Sequence, residues 1–311
     1  MAPYRFSFTP ESFFRVVGSF PRNGVTDLSV TSSFLNVSFN SKITPSLLPL
    51  VQVQPQLQGT WQIDSDSSRA FLYPYTFFDF NASYSITVGQ DAEDKFGNQL
   101  TGGFQSSFST APFEVTFSYP QDGDVNIPLT ASMTLEFTGP VDTATIRSAF
   151  AIVPNIAWTF SYYYGGGDRF VFYPSMAFRA STTYQVTVSS KLAAWDETTL
   201  SAPAVMSFTT EEFKVTSVFP GDGNKDIPRW SSIMVHCNAP LDFSTVSTAF
   251  SVSPPVLGSL SYYPLGTSFT FTPSSILDRY QLYTVTVNTS LKTANGEVLE
   301  NPYSFSFLTG P

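Results

Sequence analysis

An all-β chain of three tandem sandwiches is the fold this sequence predicts, and three observations predict it. Landmark residues recur about every 100 positions, apolar and polar residues alternate at period two, and turn-forming residues punctuate the alternation. Phe13, Phe113 and Phe213 open the copies. Pro21, Pro120 and Pro220 keep the phase, as do Tyr84, Tyr184 and Tyr283, then Leu100, Leu200 and Leu299, then Phe108, Phe208 and Phe307. Such a period is longer than a solenoid unit and matches one small domain. It divides the 311 residues into domains at 13–110, 111–210 and 211–311, preceded by a segment at 1–12 that resembles the last strand of a repeat.

Within a copy, stretches such as Met133-Thr134-Leu135-Glu136-Phe137 and Tyr184-Gln185-Val186-Thr187-Val188 alternate as half-buried strands do. The second copy reads as seven strands, at 113–119, 132–138, 149–153, 157–164, 168–173, 183–189 and 204–209. Asp122-Gly123, the Gly165 to Asp168 run and Pro174-Ser175 supply turns between them. About seven short strands in each copy predict three immunoglobulin-like β-sandwiches. Asp142 and Asp242 stand ahead of short helix-compatible stretches and are placed to cap them, whereas the first copy has Thr44-Pro45 there. The joints, Ser109 to Phe113 and Thr209 to Phe213, contain no Gly/Ser linker, so the domains are expected end to end in a rod on the order of 100–130 Å long.

Polarity comes from hydroxyls and not from ions: Ser and Thr number 76, while charged residues are 13% of the chain. That balance suits an extracellular or cell-surface setting. A net charge of −9, with scattered Lys and Arg, leaves no basic stripe for nucleic acid. The single cysteine, Cys237, allows no intrachain disulfide, so hydrophobic cores must hold each domain. No run of 18 apolar residues suggests membrane insertion.

The segment from Phe219 to Pro228, the strand exit Asn238 to Asp242, Phe271-Thr272-Pro273, Tyr283 to Val287 and Asn295-Gly296 resemble the bacterial Ig-like domain of S-layer proteins, the SbsA-like type. Tyr119 to Pro128 and Phe172-Tyr173-Pro174 carry the likeness into the second copy, and Phe20 to Gly24 with Asp94 to Asn98 carry it more loosely into the first. The resemblance covers about residues 13–309. It implies a sandwich fold and service as spacers or surface-layer parts, and it offers no shared catalytic residues.

Candidate chemistry is sparse. His236 and Cys237 are neighbours on one strand, and alternation sends them to opposite faces, which removes them as a catalytic pair. Asp122, Asp124 and Asn126, and again Asp222, Asn224 and Asp226, resemble the opening of a calcium loop, but Ile127 and Ile227 replace the glycine such a loop needs next. Asx side chains closing a turn after Pro120 and Pro220 explain the same residues. Asp91, Glu93 and Asp94 form a second acidic loop. Trp195, where the other copies carry Phe96 or Asn295, and Trp230, after Pro228, are candidates for stacking on a sugar or a partner. Tyr162-Tyr163-Tyr164 and Tyr262-Tyr263 place one ring outward each, against a simpler role in cross-strand packing. Asn36, Asn81 and Asn288 fit the short glycosylation acceptor pattern. Tyr4, Phe6 and Phe8 copy the pattern of Tyr303, Phe305 and Phe307, and an unpaired strand of that kind needs a sheet edge, as in strand donation between copies.

The expected function is therefore a non-enzymatic, extracellular structural array that self-associates into a surface layer, stalk or filament, with copies of itself or adjacent Ig-like domains as partners and no cofactor. The alternatives are a carbohydrate-binding or adhesive module that takes a surface glycan, and an accessory segment of a larger secreted enzyme.

Overall fold

Aromatic landmarks at fixed phase are the residues on which each core closes. In a computed structural model describing residues 3–5, 7, 13–162 and 167–311, Tyr84, Tyr184 and Tyr283 stack on Phe108, Phe208 and Phe307 with ring centroids 5.4, 5.6 and 5.7 Å apart. Each pair lies directly across two neighbouring antiparallel strands, where facing side chains of one sheet surface meet. Alternate burial along Thr183–Val188 and Ala204–Thr210 puts these rings, with Val186 and Val188, inside.

Each domain is a sandwich of two four-stranded sheets. In the second domain one sheet runs Val115–Tyr119, Met133–Phe137, Arg169–Pro174, Trp158–Tyr162 in spatial order, all antiparallel. The other runs Asp124–Ile127, Ala204–Thr210, Thr183–Val188, Phe150–Val153. The first and third domains repeat both orders.

Eight strands thus replace the expected seven. The addition, Asp124–Ile127, lies parallel to the last strand, and its counterparts Val25–Leu28 and Asn224–Ile227 do the same. Its register shifts in the middle, at Asp27, Asn126 and Asp226, whose φ values are 59°, 57° and 57°. A left-handed residue inside a four-residue strand breaks the alternation, and Asn and Asp tolerate that conformation best among non-glycine residues.

Two further features concern register and capping. Phe14, and not Phe13, is the counterpart of Phe113 and Phe213: all three are buried, and the Phe14 and Phe113 carbonyls accept from Thr101 and Ser201 N–H at 2.9 and 3.3 Å. Asp142 and Asp242 accept from the N–H of Ala144 and Ser244 at 3.0 and 3.1 Å; Asp242 thereby caps the 3-10 helix Phe243–Thr245, as expected, and the four-residue α-helices Ile146–Ala149 and Val246–Ala249 begin four residues after each Asp. The first domain has the 3-10 helix Pro45–Leu50 instead, with no side-chain cap.

Candidate functional site

Among the described residues no cleft gathers convergent ionisable groups. What recurs is a pair of end faces, one from the loops at the tail of a domain and one from those at the head of the next. The tail loop is tied down identically three times. The hydroxyls of Tyr84, Tyr184 and Tyr283 accept from the N–H of Asp79, Arg179 and Asp278, five residues upstream, at 3.1, 3.0 and 3.1 Å. This is the tyrosine corner of immunoglobulin-like sandwiches. Buried Thr110, Thr210 and Thr309 donate to the carbonyls of Asp79, Arg179 and Asp278 and accept from the N–H of Ala82, Thr182 and Gln281. Burial pushes the Tyr84 hydroxyl above its ordinary pKa, with nearby Asp79 and Asp196 adding to the effect.

At the first joint, the Phe80 ring lies 5.1 Å from Phe113, which stacks on Phe137 at 5.7 Å. Gly139 is a close approach between domains: a Cβ there would stand 2.5 Å from Val30 Cγ2 and 2.9 Å from Phe80 Cζ. The Phe80 N–H donates to Asp196 Oδ2 at 3.0 Å across 116 residues of chain. Trp195, 37% exposed, meets Phe77 edge to face at 6.0 Å.

The second joint uses the same positions with smaller residues. Matching backbone hydrogen bonds align Phe77 with Ala177, Phe80 with Ala180, Gly139 with Ala239, Trp195 with Ala294, and Asp196 with Asn295. Trp195 thus corresponds to Lys95 and Ala294, one residue before Phe96 and Asn295: the Trp195, Ala294 and Lys95 N–H groups donate to the carbonyls of Pro140, Pro240 and Lys42. Asn295 Nδ2 donates to the Ala177 carbonyl at 2.8 Å, so a polar tether survives with its polarity reversed. Leu129 is buried in the third domain's core, and a cleft of about 310 Å³ opens between Leu129, Ala177, Ala239 and Ala294.

The two outer faces expose what the joints cover. On the head of the first domain, Phe96 is 72% exposed, with exposed Phe13, Lys42 and Lys95 beside it in the fold. On the tail of the third, Trp230 holds the position of Thr31 and Thr130 and is 78% exposed, alongside exposed Ile276, Arg279 and Tyr280. Tyr4 is 92% exposed, while Phe6 and Phe8 lie outside the described residues, as do Tyr163 and Tyr164. Tyr262 stacks on Phe243 at 3.9 Å, and Tyr162 lies 5.7 Å from Phe170.

The acidic turns are built for backbone donors. Asp122 Oδ1 accepts from Ser207 N–H and Oγ at 2.8 and 3.1 Å, and Asp124 Oδ2 from Gln121 N–H at 2.8 Å. Asp222 and Asn224 accept from the N–H of Ser306 and Gly221 at 2.8 and 2.9 Å. Calcium needs six to eight oxygens converging on one point, and these point to separate N–H groups. Among the described residues no three of His, Cys, Asp and Glu gather closely enough to hold a metal. Asp94 accepts from Ser41, from the Asn98 side chain and from the N–H of Phe96 and Asn98. Burial pushes its carboxyl up, and those hydrogen bonds outweigh burial and hold it below its ordinary value. Cys237 is buried in the core, where desolvation pushes its thiol up to about 12.

Sequence reasoning missed Phe77, Phe80, Gly139, Asp196 and Asn295, because their roles are contacts between copies. Two phenylalanines in one loop, Phe77 and Phe80, where the next copy has Ala177 and Ala180, were a signal available in the sequence.

A family model described as a bacterial Ig-like domain matches residues 11–110, 109–210 and 211–309. No curated protein matches the chain. Among solved structures, an L,D-transpeptidase from Mycobacterium smegmatis is 16% identical at a TM-score of 0.27, over 48% of this chain and 59% of that one. Surface layer protein SbsC, domains 1–6, is 8% identical at 0.26, over 96% and 54%. A Bacteroides ovatus mixed-linkage glucan utilization locus protein, SGBP-B, in complex with a mixed-linkage heptasaccharide, is 13% identical at 0.29, over 100% and 69%. The chain spans about half the length of the first solved structures it matches. Likenesses this slight carry no functional weight.

Proposed function

The chain belongs to the family of bacterial Ig-like domains, three copies in tandem, and on that premise we propose a non-enzymatic structural protein of the cell surface or extracellular space. Its work in this reading is to associate end to end, with copies of itself or with adjoining Ig-like domains, in a layer, stalk or filament. The observation that carries the reading is the reuse of end faces: both internal joints are closed by the same positions, and the outer faces leave those positions exposed, as Lys95 and Phe96 on the head and as Ile276 and Arg279 on the tail, with the exposed rings of Phe13, Trp230 and Tyr280 beside them. Exposed rings beside Lys42 and Lys95 on one face and Arg279 on the other offer cation–π contacts. Because both faces carry cations, moderate salt is expected to favour their approach by screening. Among the described residues no helix is long and apolar enough to cross a membrane.

Electron microscopy of the purified chain tests this: filaments or sheets are expected, and separate short rods at high concentration contradict it. Deleting residues 1–10 separates strand donation by Tyr4, Phe6 and Phe8 from contact through the end faces, since assembly that survives deletion cannot need the donated strand. No metal takes part in this reading, so chelation should leave the melting temperature unchanged.

A second reading, glycan binding, is favoured by Trp230, whose ring is largely free, more than by Trp195, whose ring already meets Phe77. Binding to a surface polysaccharide that disappears with Trp230→Ala supports it.

A further inference from the structure

We propose that the cleft between the second and third domains is a binding site for one small aromatic ring, of the size of indole or phenol. The cleft holds about 310 Å³, at the lower end of the roughly 300–1,000 Å³ typical of ligand pockets. Its walls are apolar and small, Leu129, Ala177, Ala239 and Ala294, with Met176 and Leu265 at the mouth.

The occupant is identified by the sister joint. There the positions of Ala177 and Ala294 are Phe77 and Trp195, whose rings meet edge to face at 6.0 Å across the joint. Replacing both rings by methyl groups while keeping the tether, here Asn295 to the Ala177 carbonyl, holds the two walls in place and leaves ring-shaped room. A collapsed joint would have closed it.

Leu265 adds an independent observation. It sits at φ 57°, the left-handed region that favours glycine, and is 77% exposed while lining the cleft. Its hairpin is tied to the joint by the Leu241 N–H donating to the Gly266 carbonyl at 3.1 Å. An apolar side chain held over an apolar cleft in an unfavourable backbone conformation, without protein covering it, is arranged for something that enters. Hydroxyls of Thr130 and Ser175 in the lining can accept from an indole N–H or a phenol O–H.

The test uses the full chain with indole as the probe, followed by calorimetry and by methyl NMR. Saturable binding at one site per chain is expected, with shifts concentrated on the methyls of Ala177, Ala239, Ala294 and Met176. Ala294→Trp, which copies the sister joint, should weaken indole at least tenfold, and Ala177→Phe should do the same if the first variant fails to fold. Absence of saturation up to the solubility limit, shifts elsewhere on the chain, or binding untouched by a folded filling variant overturns the proposal. Because the cleft is internal to one chain, the outcome is independent of end-to-end association.

Discussion

The two joints are one design executed with different residues. At the first, the rings of Phe77 and Trp195 meet and Phe80 packs on Phe113, and the cores of the first two domains merge into one continuous cluster. At the second, Ala177, Ala180 and Ala294 hold the same positions, and the third domain keeps a core of its own, to which the second lends Leu129. The difference teaches that the backbone and tether set the geometry of a joint, while ring size sets how strongly neighbours share a core. Domains one and two are therefore expected to unfold together, and domain three in a separate transition.

The largest test of that contrast is Phe80→Ala. Phe80 is buried against Phe113, so truncation should cost about 3 kcal/mol. In scanning calorimetry it should split the joint transition of domains one and two, leaving that of domain three in place. A single unsplit transition with little loss would break the claim that rings couple these domains. Next comes Gly139→Ala: the added methyl meets Val30 and Phe80, and overpacking of this kind costs about 1–3 kcal/mol. The second joint has already accepted Ala239 at that position, so Ala239→Gly should change stability less. Removing the tethers is expected to cost about 1–2 kcal/mol for Asp196→Ala and about 1 kcal/mol for Asn295→Ala, because only the first is a charged acceptor. Chemical denaturation of each variant would expose the reverse order.

The smallest effect separates domain one from the others by pH. Asp94 has a folded pKa below its unfolded value, so its contribution is complete above the unfolded value of about 3.9 and is lost as pH falls through the folded one. The second and third domains carry Ala194 and Thr293 at that position and lack the contribution. Asp94→Asn should therefore lower the melting temperature at neutral pH and flatten its fall below pH ~4, which a melting series across pH would measure.

Much of the fold was legible because its determinants are local. Alternation, turn residues and the phase of Tyr84, Tyr184 and Tyr283 report directly on strands that bury one face. The strand Asp124–Ile127 escaped because Asn126 at φ 57° interrupts its period and its acidic oxygens mimic a metal loop. The offset between Phe13 and Phe14 escaped because adjacent phenylalanines satisfy the pattern equally, and only burial tells them apart. The joints were out of reach for another reason. Asp196 finds Phe80 across 116 residues, and no pattern within a copy records which end of a domain will meet the next.

Sedimentation velocity across a concentration series tests the central claim, that the end faces which join domains within the chain also join it to its neighbours. The unaltered chain should form a concentration-dependent series of end-to-end oligomers, strengthened by moderate salt, and Phe96→Asp or Trp230→Asp should return it to a single monomeric species. A monomer at every concentration and salt, or oligomers that both substitutions leave intact, would contradict it.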